Sequence, residues 1–230
     1  MVNTSGETEV LESVTHEKDL GVTIDNKLTF SKHVQLRVNK ANSVLGAIKN
    51  YFVTFDKQTF LTLYKSLVRP HVEYACVCWS PGLKRDRDTL ERVQRRATRL
   101  VTGLSHLSYP KRLEALNLPT LAFRRKRADI IQAFKILKGI DQVQHNRKCV
   151  ICQSSMFQDA HCKRTRNNGF KQVVPSQIGP RKHFFSARVT NQWNALSKRA
   201  VAAETVNAFK TELKREWKNH KTRFNYAFSY

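Results

Sequence analysis

Asp56-Lys57-Gln58-Thr59-Phe60-Leu61-Thr62-Leu63-Tyr64-Lys65-Ser66-Leu67-Val68-Arg69-Pro70-His71-Val72-Glu73-Tyr74-Ala75, then Trp79-Ser80-Pro81-Gly82, then Asp88-Thr89-Leu90-Glu91-Arg92-Val93-Gln94-Arg95-Arg96-Ala97-Thr98-Arg99-Leu100 carry the clearest periodicity in this chain of 230 residues. Phe60, Leu63, Tyr64, Leu67 and His71 recur at three- and four-residue steps, the spacing of one helical face. Pro70 within that pattern predicts a kink, because its ring lacks a backbone donor and crowds the preceding turn. Further on, Leu90, Val93, Ala97, Leu100 and Val101 form a buried stripe, while Arg92, Arg95, Arg96 and Arg99 fall at i, i+3, i+4 and i+7 on another face. Asp88 with Glu91 has the spacing of a capping box, and Gly103 that of a helix stop. The stretch therefore predicts an αα-hairpin turning at residues 79–82, with a dry seam and an arginine-lined outer face.

Working outward, Ser31 is placed to cap a helix whose Val34, Val38, Ala41, Leu45, Ile48 and Phe52 step by four and three, with basic Lys32, Arg37, Lys40 and Lys49 facing out. Upstream, Val10, Leu11 and Val14 mark one short strand; Leu20, Val22 and Ile24 alternate as a second, ended by a turn at Asp25-Asn26-Lys27. Downstream, Ser108 and Pro110 open a short helix with Leu113 and Leu116 that ends near Asn117-Leu118-Pro119. Thr120 then caps a longer helix with Phe123, Ile130, Ile131, Phe134 and Leu137, stopped at Gly139. In it Arg124, Arg125, Lys126 and Arg127 wrap a full turn, so at least one must snorkel from the buried side or meet a partner such as Asp129.

Periodicity lapses over residues 141–182, which read as a linker. It resumes with Phe185, Val189, Trp193 and Leu196, and with Val206, Phe209, Leu213 and Trp217 behind a Thr205 cap, predicting a pair of helices. Lys221 to Tyr230 read as a frayed end. The fold class expected is mainly α (α+β): residues 1–30 as a β-hairpin, 31–140 as a helical bundle, 141–182 as linker and 183–230 as a C-terminal helical segment.

A chain that is 40% hydrophobic can bury a core, and its 41 Lys plus Arg against 18 Asp plus Glu give a net charge of +23. Residues 84–140 alone hold 15 basic and 5 acidic side chains, so the positive field is concentrated on the helical middle. Nucleic acid is the commonest partner for such a field; an acidic protein is the alternative. No run of about 18 apolar residues and no secretory leader is present, which together with an odd number of cysteines, 5, predicts an intracellular chain with reduced thiols in nucleus or cytoplasm, and no membrane.

The stretches 59–75, 79–81 and 90–100 closely resemble non-LTR (LINE-type, CR1/jockey-like) retrotransposon reverse transcriptases, in the region after the catalytic palm. The resemblance extends upstream through Glu17-Lys18-Asp19-Leu20-Gly21-Val22-Thr23-Ile24-Asp25 and downstream through Phe184-Phe185-Ser186-Ala187-Arg188-Val189-Thr190-Asn191-Gln192-Trp193-Asn194. It implies a thumb and C-terminal segment of an RNA-directed DNA polymerase. On that resemblance Arg92, Arg95, Arg96, Arg99, Arg124, Arg125, Lys126 and Arg127 are candidates to grip an RNA, RNA–DNA or DNA duplex by its phosphates.

Two-metal nucleotide addition needs clustered carboxylates, yet no two acidic residues are adjacent here and no aromatic-x-Asp-Asp occurs. Asp19 and Asp25 read as solvated or capping carboxylates. The resemblance therefore assigns catalysis and its magnesium to a palm not in this sequence, and the chain alone is expected to bind without catalysing. The glycines never cluster as in a phosphate-cradling loop. Cys149, Cys152, His161 and Cys162 are candidate zinc ligands, but adjacent His161 and Cys162 point apart, so no resident metal or other cofactor is expected. Most aromatic residues sit at core spacing, leaving Tyr51, Phe52 and Phe55 as weak stacking candidates. Two rival readings stand beside the nucleic-acid one: a domesticated helical module that binds an acidic protein, and a complete enzyme whose catalytic part lies upstream of Met1.

Overall fold

The computed structural model describes residues 13–52, 54–141, 183–220 and 223–226. Among them the chain is mainly helical and opens with a short antiparallel hairpin of β1 (His16–Asp19) and β2 (Val22–Asp25), in which His16 faces Asp25 and Asp19 faces Val22. Leu20 (φ 45) and Gly21 (φ 83) form its two-residue turn, both in the left-handed region that this tightest of hairpin connections demands. The first strand is thus shifted from the expected one: Val14 lies outside it and is exposed, Leu20 is in the turn, and Val10 and Leu11 lie outside the described residues.

Asp25 fastens the hairpin to the loop before the first helix. Its carboxylate accepts from the backbone N–H groups of Lys27 (3.1 Å), Thr29 (3.1 Å) and Phe30 (2.6 Å) and from the Thr29 hydroxyl (3.1 Å). Burial pushes its pKa up, but these donors outweigh that and hold it below the ordinary value. Of the solvated and capping roles expected for it, the carboxylate takes neither in full: it is buried and closes the turn ahead of the helix. Helix α1 (Ser31–Tyr51) begins at Phe30, itself left-handed, so the expected Ser31 cap is replaced: the Ser31 hydroxyl donates to Asp86 across the bundle at 2.6 Å. His33, Val34, Val38, Ala41, Leu45 and Ile48 are its buried face, while Phe52 is 39% exposed.

The predicted kink is a change of helix type. After α2 (Lys57–Leu63), capped by Asp56 through the N–H groups of Gln58 and Thr59, residues Tyr64–Val68 form a π-helical turn that leads into α3 (Arg69–Glu73). The Arg69 N–H reaches back five residues to the Tyr64 carbonyl, and Pro70 follows with no N–H of its own. The extra residue rotates the stripe: Phe60, Tyr64, Val68 and Val72 are buried, whereas Leu67 is 45% exposed. A sharp turn at left-handed Ala75 leads into α4 (Cys76–Trp79), where fully buried Trp79 donates its indole N–H to the Tyr74 carbonyl at 2.6 Å.

Helix α5 (Lys84–Thr98) starts earlier than the capping-box reading implied, from Leu83, so Asp88 and Glu91 lie inside it. Leu90, Val93 and Ala97 are buried, as is Val101 just beyond. The expected hairpin seam is not the main contact: α5 and α3 both pack on α1, and the first half of the predicted hairpin meets α5 through Tyr64, whose hydroxyl donates to Gln94. Asn117 (φ 48) ends α6 (Tyr109–Leu116), and the Thr120 hydroxyl caps α7 (Leu121–Leu137) by accepting from Phe123 N–H at 3.1 Å, both where the sequence placed them.

Helix α7 joins two hydrophobic clusters. Leu121 belongs to the large one with α1 to α6, while Ile130, Ala133 and Phe134 pack with Val189 and Trp193 of α8 (Phe185–Asn194), Ala200 and Val201 of α9 (Lys198–Val201), and Phe209 and Leu213 of α10 (Val206–Glu216). Residues 223–226 return to the bundle instead of fraying: the Arg223 carbonyl accepts from Thr120 N–H at 2.8 Å, and the Tyr226 hydroxyl donates to Asp88 at 2.5 Å. The expected linker, with Cys149, Cys152, His161 and Cys162, lies outside the described residues. No described helix is long and apolar enough to cross a membrane.

Candidate nucleic-acid interface

Helices α1 and α5 run parallel, because their first turns meet at Ser31 and Asp86 and their middles meet at Asn42 and Arg96. Parallel helices place their partially positive N-termini at one end. Asp86, in the first turn of α5, sets a carboxylate there: it accepts from the Ser31 hydroxyl and lies 3.6 Å from Arg85.

The arginine stripe of α5 is on the surface. Arg92, Arg95, Arg96 and Arg99 are all exposed, and among the described residues none of them meets a carboxylate. Arg92 donates to the Thr89 hydroxyl (2.8 Å) and Arg96 to the Asn42 side-chain carbonyl (3.0 Å). Arg95 leans to the other side, over the rings of Tyr109 (4.9 Å) and Tyr226 (5.3 Å). Arg112, nearly fully buried, supports the end of the stripe: its Nε donates to the Thr98 hydroxyl at 3.1 Å and its Nη1 to the Leu107 carbonyl at 2.5 Å. These donors occupy acceptors where α5 gives way to the loop toward α6.

The basic turn of α7 is different. Arg124 makes a two-point pair with Glu73, with Nη2 at 2.9 Å from Oε2 and Nε bonded to Oε1. Arg125 is 4% exposed, and its charge lies near Glu91 and Asp129. Lys126 and Arg127 are half-buried; burial, with Arg87 and Arg125 nearby, lowers the Lys126 pKa, and burial with Arg124 nearby lowers that of Arg127. Of the four candidate cations, Arg125 is thus turned into the protein and Arg124 is paired with Glu73. Asp129, anticipated as their partner, is held by Arg188 at 2.9 Å through each oxygen. Nothing in the local sequence marks Glu73, which is 51 residues from Arg124.

Beneath the arginines lies a buried polar network that periodicity does not reveal. The Tyr64 hydroxyl donates to Gln94 Oε1 (2.7 Å), Gln94 Nε2 donates to the Pro119 carbonyl (3.0 Å) and to the Tyr109 oxygen (3.2 Å), and Tyr109 donates to Glu91 (2.5 Å). Glu91 also accepts from Leu121 N–H at 3.3 Å, at the positive start of α7. Burial pushes the Glu91 pKa up, against the Tyr109 hydroxyl and the charge of Arg125. The network fixes α5 against the π-helical turn, α6 and the start of α7, so the arginine face is carried on a rigid support. Of the stacking candidates, Tyr51 is 85% exposed and Phe52 39%, but Phe55 is buried.

Comparison with known proteins gives two partial similarities. Over 92 residues, 37% of this chain, the sequence is 32% identical to a probable RNA-directed DNA polymerase from transposon X-element of Drosophila melanogaster, covering 10% of that protein. Over 110 residues, 46% of this chain, it is 28% identical to an uncharacterized protein of Caenorhabditis elegans, covering 56% of that one. The chain thus spans about a tenth and about half of the lengths of these relatives. No family model matches it, and no solved structure matches it significantly.

Proposed function

We propose that the chain is a nucleic-acid-binding segment of a retrotransposon RNA-directed DNA polymerase, corresponding to the thumb and C-terminal region, and that it binds without adding nucleotides by itself. The observation that carries this is the exposed row of Arg92, Arg95, Arg96 and Arg99, cations that meet no carboxylate among the described residues, on a chain of net charge +23. Such a row supports contact with phosphates, which fixes position on a duplex without reading its bases. The similarity to a transposon polymerase supports the same reading.

The test is salt dependence. Replacing Arg92, Arg95, Arg96 and Arg99 together by Gln should leave the helical spectrum unchanged. Counterion release then makes the slope of log K against log salt on duplex shallower by roughly 0.9 per lost contact, up to about 3.6 units, for unrelated sequences alike. Binding with the parent's slope would end this reading. A tight, salt-insensitive complex with an acidic protein would replace it with the interaction-module reading.

A further inference from the structure

Helices α1 and α5 display the same spacing along their shared furrow. On α1, Gln35, Asn39, Asn42, Gly46 and Lys49 fall at i, i+4, i+7, i+11 and i+14; on α5 and its C-cap, Arg85, Thr89, Arg92, Arg96 and Arg99 do the same. The Arg96 to Asn42 bond shows that the two rows adjoin. One wall is cationic apart from Thr89, and the other carries the amides of Gln35, Asn39 and Asn42 before Gly46 and Lys49. Gln35 Nε2 donates to Asn39 Oδ1 at 2.7 Å, and among the described residues Gln35 Oε1, Asn39 Nδ2 and Asn42 Nδ2 meet no further partner.

Gly46 supplies a separate sign of an approaching ligand. It lies deep inside a 21-residue helix, where glycine is the poorest helix former apart from proline, and its conformation is ordinary. Among the described residues no atom beyond its own helical turns would come within 4 Å of a Cβ there, so no packing among them requires the missing side chain. A glycine of this kind fits a surface where another backbone comes close.

We infer that the furrow between α1 and α5 seats an RNA strand, its phosphates on the row of Arg92, Arg96 and Arg99, its ribose 2′-hydroxyls on Gln35, Asn39 and Asn42, and its backbone nearest the protein at Gly46. The inference rests on the phosphate-binding reading of the arginines given above. A 2′-hydroxyl both donates and accepts, as an amide side chain does, and A-form duplexes display these hydroxyls in a wide, shallow groove that a helix edge can reach. A DNA duplex offers the same phosphates without the hydroxyls.

Fluorescence anisotropy on the full chain, with an RNA–DNA hybrid and a DNA duplex of the same sequence, tests this. The parent is expected to prefer the hybrid, and the triple variant Gln35→Ala, Asn39→Ala, Asn42→Ala to lose on the order of tenfold on the hybrid while the DNA duplex changes by less than about twofold. Gly46→Ala should raise Tm by roughly 2–4 °C, since it improves the helix, and yet weaken hybrid binding. Equal affinity of the parent for both duplexes, a triple variant that keeps the preference, or Gly46→Ala binding as the parent does would each overturn the seat. If the four-arginine variant loses binding while these variants change nothing, this inference alone fails; if that variant also binds as the parent does, the functional reading fails first.

Discussion

At the scale of single residues, His33 shows how a buried ring ties hairpin to bundle. Fully buried, it accepts through Nδ1 from the Thr23 N–H at 3.0 Å, which puts its proton on Nε2, and its ring lies 4.9 Å from that of Trp79 at a tilt of 58°. Burial, with Arg37 nearby, pushes its pKa down to about 4 from the ordinary 6.5. Protonation would also destroy the acceptor for Thr23. Because the folded pKa lies below the unfolded one, the neutral ring's contribution is present above pH 6.5 and lost as pH falls toward 4, by up to about 3 kcal/mol. Melting temperature measured across that window should fall for the parent and fall less for His33→Gln, whose amide oxygen can still accept from Thr23. A flat parent profile between these values would show the ring to be titrating normally.

At the scale of elements, the π-helical turn decides which residues of 57–73 face the core. Val68 is fully buried and Leu67 is 45% exposed, although the plain helical pattern assigns the buried place to Leu67. Urea denaturation distinguishes the two. Val68→Ala should cost about 2 kcal/mol through lost burial and a residual cavity, whereas Leu67→Ala should stay within about 0.5 kcal/mol. The reverse ranking would restore an uninterrupted α-helix. The hairpin edge is a second case. All four residues of β1 are exposed, and twofold pairing of two such edges would set Glu17 against Glu17 or Lys18 against Lys18, so its charges guard against self-association.

At the scale of the whole molecule, α7 and one ion pair bind the C-terminal helices to the bundle. Arg188 of α8 holds both oxygens of Asp129 of α7, donates to the His183 carbonyl at 3.1 Å and bonds the Val77 carbonyl in α4. Asp129 is 5% exposed, and burial raises its pKa against the pull of Arg188. Gly82 lets this corner close, since an added Cβ would lie 2.5 Å from the His183 ring. Arg188→Leu should therefore cost about 3–5 kcal/mol by stranding the buried carboxylate, and Arg188→Leu with Asp129→Leu should recover most of that loss in the same unfolding assay. Additive losses in the double variant would mean that the two side chains act independently.

The local code settled much of this. Thr120, Thr205 and Asn117 mark helix ends because cap chemistry is satisfied within three or four residues, and the faces of α1, α8 and α10 follow from spacing alone. The exposure of the arginine row was legible for the same reason: its residues alternate with Leu90, Val93 and Ala97, which had to be buried. What needed the tertiary structure was every choice between partners distant in sequence. Arg124 finds Glu73, Arg188 displaces the cations of α7 as the partner of Asp129, Glu91 serves the start of another helix instead of its own, and α1 packs on both helices expected to pair chiefly with each other. Periodicity states which side of a helix avoids water, but a buried charge is satisfied only by whichever opposite charge or dipole the packing brings to it, and no local spacing encodes that distance.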